Sequence, residues 1–522
     1  MTNQSSDFAG IFVLTIALSV LWIGLAPTAA ATESPPKIAP VSASSFGGDG
    51  FRAADDNTGN PINSAEVLAT LEKSLFAPRL IPPVIEGVVL GMDAIAAPIV
   101  NLQTGIVYTD LQMAIDSALP GDQLRIQQDL SVGSITIDKD LIIGGLTGEE
   151  TLRATASTGS SGDTRGWFLV ETGVVLHFHD LIVDGNGFSI DQGFRHTGTG
   201  SFEKVEFTDI QFEASGPSYR GTAIAIGGSR VDVRDCTFEN IGRVGVLYFG
   251  SSITGAIFER NTFVGKGDGD FLDYGLEVNA GASVAAWSNS FVACRGVAST
   301  DGSTSAGILA TTFSGPGTVV LARENTIMAN AIGVAIGFDS SDTTTADLSF
   351  NRIVGNQDGV QNLASAGVAA QRNWWGCNDG PGFAGCDTIA PGSGAGTVGA
   401  DPWLVLSFAA QPNPAAIGCP TALVADLVMD SDSTDTSTLG NVPDGTPATF
   451  DGGDLGTAQP EVGETFGGFA QSYFVADGVP GLSEASATVD NQTESVWISL
   501  EFGVFCDGFE SGDTSALSST VG

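Results

Sequence analysis

Hydrophobic and polar residues repeat in a fixed pattern through the middle of the chain. Six segments align, each with an apolar residue two positions after its second residue: DCTFEN, RNTFVG, SNSFVA, ENTIMAN, FNRIVGN and RNWWG. The second residues form one column: Cys236, Asn261, Asn289, Asn325, Asn351 and Asn373. The apolar residues form another: Phe238, Phe263, Phe291, Ile327, Ile353 and Trp375. Because alternate strand residues point to opposite faces, the apolar column predicts the buried side of a repeated short strand.

A second set of short strands runs in phase with the first. Its segments include TAIAIGG, VGVLYFG, YGLEVNA and AGILATT, and the residues predicted to point inward are Ile224, Val246, Leu276, Ile308, Val334 and Val360. Two short strands in each repeat of roughly 25 residues predict a parallel β-helix, in which stacked coils share one core. The Asn column lies in adjacent coils, so its amides are expected to hydrogen-bond along the stack.

The start of this region has the pattern of a short amphipathic helix. In TDLQMAIDSALPGDQLRI, Thr109 and Gln112 have the spacing of a capping box, and Pro120-Gly121 ends the pattern. One helical face carries the apolar residues Leu111, Ala114, Ile115 and Ala118. We therefore predict a capping helix at the N-terminal end of the β-helix.

Two adjacent tryptophans close the repeat. Trp375 falls in the inward column and is predicted to fill the core at the end of the stack. Trp374 falls in the outward column, where the earlier coils place Thr237, Thr262, Ser290, Thr326 and Arg352. Trp374 is therefore expected either to pack against the cap or the following domain, or to bind a ligand by stacking on a sugar.

The repeats, the opening AIDSALPGDQLRI and the closing NWWGCNDGPG…DPWL resemble right-handed parallel β-helix repeat proteins of the pectate-lyase-like superfamily. The resemblance covers residues 101–404 and implies an exported or surface protein. Residues 405–505 resemble a bacterial immunoglobulin-like β-sandwich of the invasin/intimin type, in the order ADLVMDSD…VPDGTPATF…EASATVDN. The predicted fold class is thus all-β, a β-helix followed by a sandwich.

The chain ends and the net charge indicate location. Residues 1–31 read as a signal peptide, with an apolar run at 11–26, so we expect a secreted or cell-surface protein without a membrane span in its mature form. Residues 32–100 are expected to be poorly ordered, and 506–522 form a tail. The net charge is −40, from 60 acidic and 20 basic residues, and no Lys or Arg follows Arg372. Such a chain is not expected to bind nucleic acid.

One acid-rich loop is a candidate metal site. GKGDGDFLDYGLE places Asp268, Asp270, Asp273 and Glu277 within ten residues, with glycines that allow close bending. Hard cations such as Ca²⁺ take carboxylate oxygens, so calcium is the possible cofactor here. The alternative is a solvated acidic loop. His177 and His179 share one strand face but lack further ligands nearby for a zinc site.

The six cysteines divide into two predicted bridges and two free thiols. Cys377 and Cys386 flank a Gly-Pro-Gly turn and are predicted to pair. Cys419 and Cys506 bracket the sandwich and are predicted to staple its first and last strands, whereas Cys236 and Cys294 are expected to stay unpaired.

Two kinds of function remain open. Sugar-cleaving β-helices need acids, or Arg or Lys, that converge on adjacent coils. The outward positions of the second strand set hold one ionisable residue among Ala225, Leu247, Glu277, Leu309, Ala335 and Gln361. This favours a non-catalytic role in surface display or in binding a glycan or other surface partner. The alternative is a polysaccharide lyase or glycoside hydrolase acting on extracellular carbohydrate.

Overall fold

The computed structural model describes residues 97–212, 220–312 and 317–503. These residues form a parallel β-helix and, C-terminal to it, a β-sandwich. The predicted signal peptide, nearly all of residues 32–100 and the tail at 506–522 lie outside the described residues. In the described ranges, no helix is long and apolar enough to cross a membrane.

The β-helix has three faces of parallel strands, named A, B and C here. Face A comprises Asp122–Ile126, Leu141–Gly145, Val231–Arg234, Ala256–Glu259, Ser283–Trp287, Val319–Arg323, Thr345–Ser349, Val368–Ala369 and Val398–Gly399. Face B comprises Leu130–Val132, Thr151–Ala154, Thr237–Glu239, Thr262–Gly267, Ser290–Cys294, Thr326–Met328 and Arg352–Val354. Face C comprises Ile135–Ile137, Gly166–Val170, Gln192–His196, Thr222–Ile226, Val244–Phe249, Tyr274–Asn279, Ala306–Thr311, Ile332–Ile336, Asp358–Asn362 and Ile389–Pro391. Val175–Asp184 and Thr199–Thr208 run through both A and B, so these two faces form one 20-stranded sheet.

The predicted inward columns form the core of the β-helix. On face B, Phe263 pairs in register with Phe238 and Phe291, and Ile327 continues the column. On face C, Leu276 pairs in register with Val246 and Ile308. All the residues predicted to point inward are at most 1% exposed. The repeat seen in the sequence therefore sets the register of the coils.

The predicted Asn column is a continuous hydrogen-bonded ladder. The Oδ1 of Asn325 accepts from the backbone N and the Nδ2 of Asn289, both at 2.9 Å. The Nδ2 of Asn325 donates to Asn351 Oδ1 at 2.8 Å and to the backbone oxygen of Ala286 at 2.9 Å. Asn373 repeats this pattern at one end, and Cys236 N donates to Asn261 Oδ1 at the other. The backbone N–H and the side-chain amide at each corner are thus hydrogen-bonded to the asparagine of the next coil.

A second ladder lies at the opposite end of face B. Asn330 Nδ2 donates to Asn356 Oδ1 at 3.0 Å, and Asn356 Nδ2 donates to Asp387 Oδ2 at 2.6 Å. Cys294 N donates to Asn330 Oδ1 at 2.9 Å and begins the ladder. Only two of its members are asparagines, so no uniform column marks this ladder in the sequence.

A helix at Leu111–Ser117 caps the N-terminal end, next to an antiparallel pair formed by Ile99–Asn101 and Val107–Tyr108. Its predicted apolar face is buried. The capping residue is Asp110 rather than Thr109, because the Asp110 carboxylate accepts the Met113 N–H at 2.8 Å. Two short 3-10 turns lie at Gly162–Arg165 and Gly453–Leu455.

The C-terminal domain is a sandwich of two sheets around a common apolar core. The front sheet contains, in spatial order, Leu404–Gln411, Thr421–Asp430, Phe469–Ala476 and Gly456–Gln459. The back sheet contains, in spatial order, Ala415–Ala416, Gln492–Glu501, Gly481–Val489, Pro447–Asp451 and Val462–Glu464. Alternating burial along Phe469–Ala476 leaves one side of the front sheet in solvent.

Candidate functional site

The outer side of face C offers no open site. Its six positions predicted to point outward, from Ala225 to Gln361, are all at most 1% exposed. Leu272 and Ala298 belong to the apolar cluster that packs on this side. These six side chains point away from the β-helix core, as the alternation along the strands requires. They are nevertheless buried and not exposed to solvent.

The sandwich packs against the last coils of face B. Phe350, Val354 and Trp374 point out of the β-helix and join the apolar core of the sandwich. Arg352 Nε donates to Asp490 Oδ2 at 3.0 Å, and Trp374 Nε1 donates to the same oxygen at 2.7 Å. This buried polar contact fixes the position of the sandwich on the β-helix.

Trp374 is therefore not a ligand-binding residue, and that prediction is wrong. Its side chain is fully buried, as is that of Trp375. Of the two alternatives for Trp374, packing against the following domain is the one that the structure contains. The change from Thr or Ser to Arg352 and Trp374 in the outward column marks the coils where the sandwich covers face B.

Where this cover stops, the same columns line an open cleft between the β-helix and the sandwich. We call this space of about 470 Å³ the interdomain cleft. Its β-helix wall is formed by three successive coils, which contribute Arg260, Asn261, Thr262, Ser288, Asn289, Ser290, Glu324 and Thr326. Its sandwich wall is the loop with Asn441, Pro443 and Asp444.

Backbone conformation explains why these side chains reach the cleft. Arg260, Ser288 and Glu324 have φ values of 53°, 53° and 56° and directly precede the ladder asparagines. This left-handed conformation turns the chain sharply at the corner between faces A and B. Thr262 and Ser290 follow the ladder residues and point outward, opposite the buried Phe column. The cleft wall is thus a regular array of polar side chains, repeated once per coil.

The charged groups of the β-helix wall are already paired. Arg260 binds both carboxylate oxygens of Asp235, at 2.6 and 2.8 Å, and this contact raises the pKa of the Arg260 guanidinium. Glu324 accepts the indole N–H of Trp287 at 2.7 Å and lies 3.4 Å from Arg323 Nε. The wall therefore presents mainly hydroxyl groups, because its asparagine amides are held in the ladder and its charged groups are paired with neighbours.

The sandwich wall is held against the β-helix by its own contacts. Arg323 donates to the backbone oxygen of Leu439, immediately before the loop. Asp444 Oδ1 accepts the N–H of Gly467 at 2.8 Å, so the loop is tied to the turn before Phe469–Ala476. Asp444 itself is exposed, and it faces the cleft from the side opposite Glu324.

The acidic loop predicted to bind calcium does not assemble into a metal site. Asp268 pairs with Arg295 at 2.9 Å, and Asp270 accepts two hydrogen bonds from Ser299, at 2.7 and 2.8 Å. Asp273 is fully buried in an ion pair with Lys266. Within the described ranges, no group of three or more His, Cys, Asp or Glu side chains is placed to hold a metal ion.

Burial explains the state of the Asp273–Lys266 pair. Loss of water raises the pKa of Asp273 and lowers that of Lys266, while the direct contact between them opposes both shifts. Glu277 is buried on the outer side of face C, two residues from Asn279, whose amide donates to it at 3.2 Å. The four acids therefore have separate structural partners, and the sequence spacing misled because the loop separates them.

The cysteines include the predicted short bridge. Cys377 and Cys386 form a disulfide with Cα atoms 5.1 Å apart. Cys236 and Cys294 are free and buried, as predicted. Cys419 is disulfide-bonded, and Cys506, its predicted partner, lies outside the described residues.

His177 and His179 are engaged on the outer side of face A. The Nδ1 of His177 lies 2.8 Å from Ser201 Oγ, and that of His179 lies 2.8 Å from Asp180 Oδ2. Among the residues that the structure describes, neither histidine has the further ligands that zinc would need.

Three cleft residues, Arg260, Glu324 and Asp444, were not predicted from the sequence. Arg260 and Glu324 stand first in the repeats RNTFVG and ENTIMAN, directly before the ladder asparagine. That position recurs in every coil, so it was available as a signal for a lining column. Asp444 lies in the turn VPDG, more than 100 residues away, and nothing in the repeat predicts that it faces the same space.

Comparisons with known proteins add little about activity. No family model matches the chain, and no curated protein matches it. Among solved structures, the chain is similar to the enzymatically active domain of tailspike protein 2 of bacteriophage CBA120. That match has 11% sequence identity and a TM-score of 0.34, and it covers 75% of this chain and 67% of that one. Similarity this low carries no argument about function, which must come from the cleft.

Proposed function

We propose that the protein is an extracytoplasmic carbohydrate-binding β-helix that holds a glycan in the interdomain cleft. The observation that carries this proposal is the β-helix wall, where side-chain hydroxyl groups of Thr262, Ser290 and Thr326 recur on three successive coils opposite a polar sandwich loop. Sugars present hydroxyl groups at regular spacing, so a regular array of small polar groups suits them. The volume of the cleft, about 470 Å³, falls within the range of small-ligand sites.

The sandwich, in this proposal, is an Ig-like domain that completes the site rather than a detached spacer. It supplies one wall of the cleft and is anchored by buried contacts at Trp374 and Arg352. The export signal predicted at residues 1–31 would place the cleft outside the cytoplasm, where polysaccharides and surface partners occur.

A substitution that fills the interdomain cleft tests whether the cleft binds the glycan. Ser290 is half-buried in the middle of the β-helix wall, so Ser290→Trp should fill the space and abolish binding of short oligosaccharides. The matched control is Ser495→Trp, at an exposed serine of the back sheet. Isothermal titration with a panel of oligosaccharides, together with melting curves of both variants, would measure this. Unchanged binding by a folded Ser290→Trp protein would refute the proposal.

Glycoside hydrolysis is the second candidate function, favoured by one observation. Glu324 and Asp444 place two carboxylates on opposite walls of the same cleft, and this reaction uses a pair of carboxyl groups. Against it, Trp287 and Arg323 occupy both oxygens of Glu324, which suits a fixed structural role. Release of reducing ends that disappears in both Glu324→Gln and Asp444→Asn would favour hydrolysis over binding.

A further inference from the structure

An exposed aromatic strip adjoins the interdomain cleft on the sandwich. It consists of Phe466, Phe469 and Tyr473, which are 80%, 43% and 46% exposed, and Val475, 44% exposed, ends it. Phe469, Tyr473 and Val475 point to the same side of one strand, the solvent side of the front sheet. At about 3.4 Å per residue, the strip from Phe469 to Val475 is about 20 Å long. Large apolar side chains in such a row mark a binding surface.

The strip is continuous with the cleft through the turn at Phe466–Phe469. The backbone N–H of Gly467 in this turn donates to Asp444, a residue of the cleft wall, at 2.8 Å. Gly468, the next residue, packs so closely against Asn441 that an added Cβ would lie 3.4 Å from the Asn441 Cβ. Two cleft residues therefore touch the turn that carries the first two aromatic side chains.

The polar groups along the strip are amides and hydroxyls, together with one carboxylate, Asp426, which pairs in register with Phe469. Gln471 lies between Phe469 and Tyr473, and its amide is 3.3 Å from the Tyr473 hydroxyl. On the neighbouring strand, Gln459 pairs in register with Tyr473, and Thr457 pairs with Val475. Aromatic faces flanked by amide groups match the apolar faces and equatorial hydroxyls of pyranose rings.

The charges on the cleft and on the strip disfavour an anionic ligand. The sandwich contains no Lys or Arg, because none follows Arg372 in the sequence. In the cleft, Arg260 is held by Asp235, so neither surface supplies a free cation to neutralise a uronate or sulfate. A strongly acidic protein of net charge −40 repels an anionic polymer further.

We propose that the cleft and the aromatic strip form one extended track for an uncharged polysaccharide. This inference rests on the carbohydrate-binding function proposed for the cleft and adds the ligand class and the length of the site. The cleft holds a few sugar units, and the strip holds the continuation of the same chain. A polymer therefore binds more tightly than the short oligosaccharide that fills the cleft alone.

Variants on the strip separate its role from that of the cleft. Tyr473→Ala and Phe469→Ala should each weaken binding of a neutral polymer by about tenfold, the usual loss for one aromatic anchor. Binding of short oligosaccharides should stay at the wild-type level, because those occupy only the cleft. Trp497→Ala is the matched control, since Trp497 is 57% exposed on the opposite sheet and should change neither affinity.

The experiment is affinity electrophoresis of the full chain in gels containing hydroxyethylcellulose, galactomannan or mixed-linkage β-glucan, with polygalacturonate and alginate as acidic probes. At least one neutral polymer should retard the protein, and the acidic polymers should not. The extended track is contradicted if neutral polymers retard Tyr473→Ala as much as wild type, or if the acidic polymers retard the protein as much as the neutral ones do. Neither result contradicts the proposal that the cleft binds a glycan. If the wild-type protein is a dimer and Tyr473→Ala is a monomer, a second copy of the chain covers the strip instead, and the track proposal is contradicted. Absence of binding to every polymer and oligosaccharide overturns both proposals.

Discussion

At the scale of single residues, burial decides what the adjacent tryptophans contribute. Both Trp374 and Trp375 are fully buried, one in the sandwich core and one in the β-helix core. Alanine at either position should therefore lower the free energy of unfolding by about 3–5 kcal/mol. Chemical denaturation measures the loss, and Trp497→Ala, at an exposed site, is the control that should lose far less.

A second prediction at this scale concerns Asp387, which ends the second ladder. Its burial raises the pKa of the carboxyl to about 6, although hydrogen bonds from Asn356 act in the opposite direction. A raised carboxyl pKa means that the folded state holds the proton more tightly than the unfolded state does. The contribution of this group is thus fully present below 3.8, the ordinary pKa of an aspartate, and is lost as pH rises through about 6.

Asp387→Asn should remove that dependence, because an amide accepts the ladder hydrogen bond at every pH. Relative to wild type, the variant should gain stability between pH 4 and pH 7, by at most about 3 kcal/mol. Urea titrations of both proteins at several pH values measure the difference. A constant difference across this range would contradict the assignment.

At the scale of structural elements, the Asn ladder shows how far one sequence pattern reaches. The side chain of Asn325 makes four hydrogen bonds that link three coils. Asn325→Ala leaves buried backbone and amide groups without partners, each worth about 1–3 kcal/mol, so the protein should lose several kcal/mol of stability. Gln357→Ala is the control, because Gln357 is exposed. Similar melting temperatures for the two variants would show that water replaces the ladder.

The first ladder, the Phe column and the capping helix could be predicted because each depends on residues that recur at short spacing. The second ladder could not, since only two of its four hydrogen-bonded members are asparagines, Asn330 and Asn356, and two asparagines do not make a visible column. The acidic loop failed as a prediction for a related reason. Its carboxylates are close in sequence, but in the fold each one binds a different partner. These partners are Arg295, Ser299 and Lys266.

At the scale of the whole molecule, the candidate site belongs to neither domain alone. One wall comes from coils at Arg260, Ser288 and Glu324, and the other from a loop at Asn441 and Asp444. The repeat pattern describes each coil but contains no information on which coils the sandwich covers. In the outward column, only the change from Thr or Ser to Arg352 and Trp374 indicated that another domain covers these coils. That change allowed two interpretations of Trp374, and the contacts with Asp490 decide between them.

The two domains should therefore unfold as one unit, with Asp490 as one of the buried polar links between them. Asp490 accepts from both Arg352 and Trp374, and its side chain is 6% exposed. Asp490→Ala leaves a buried guanidinium without its partner, a change that costs about 3–5 kcal/mol. We expect calorimetry to show the single wild-type transition replaced by two, the sandwich melting first.

The same change should weaken oligosaccharide binding, because the loop at Asn441 and Asp444 keeps its place only while the sandwich stays docked. Asp454→Ala, which removes an exposed acid of the same domain, should alter neither the transition nor the affinity. If Asp490→Ala melts in one step at the wild-type temperature, the remaining contacts, which include the apolar cluster at Phe350 and the Arg372–Asp430 ion pair, are sufficient to hold the domains together. If it melts in two steps yet binds oligosaccharide as wild type does, the β-helix wall alone is the site.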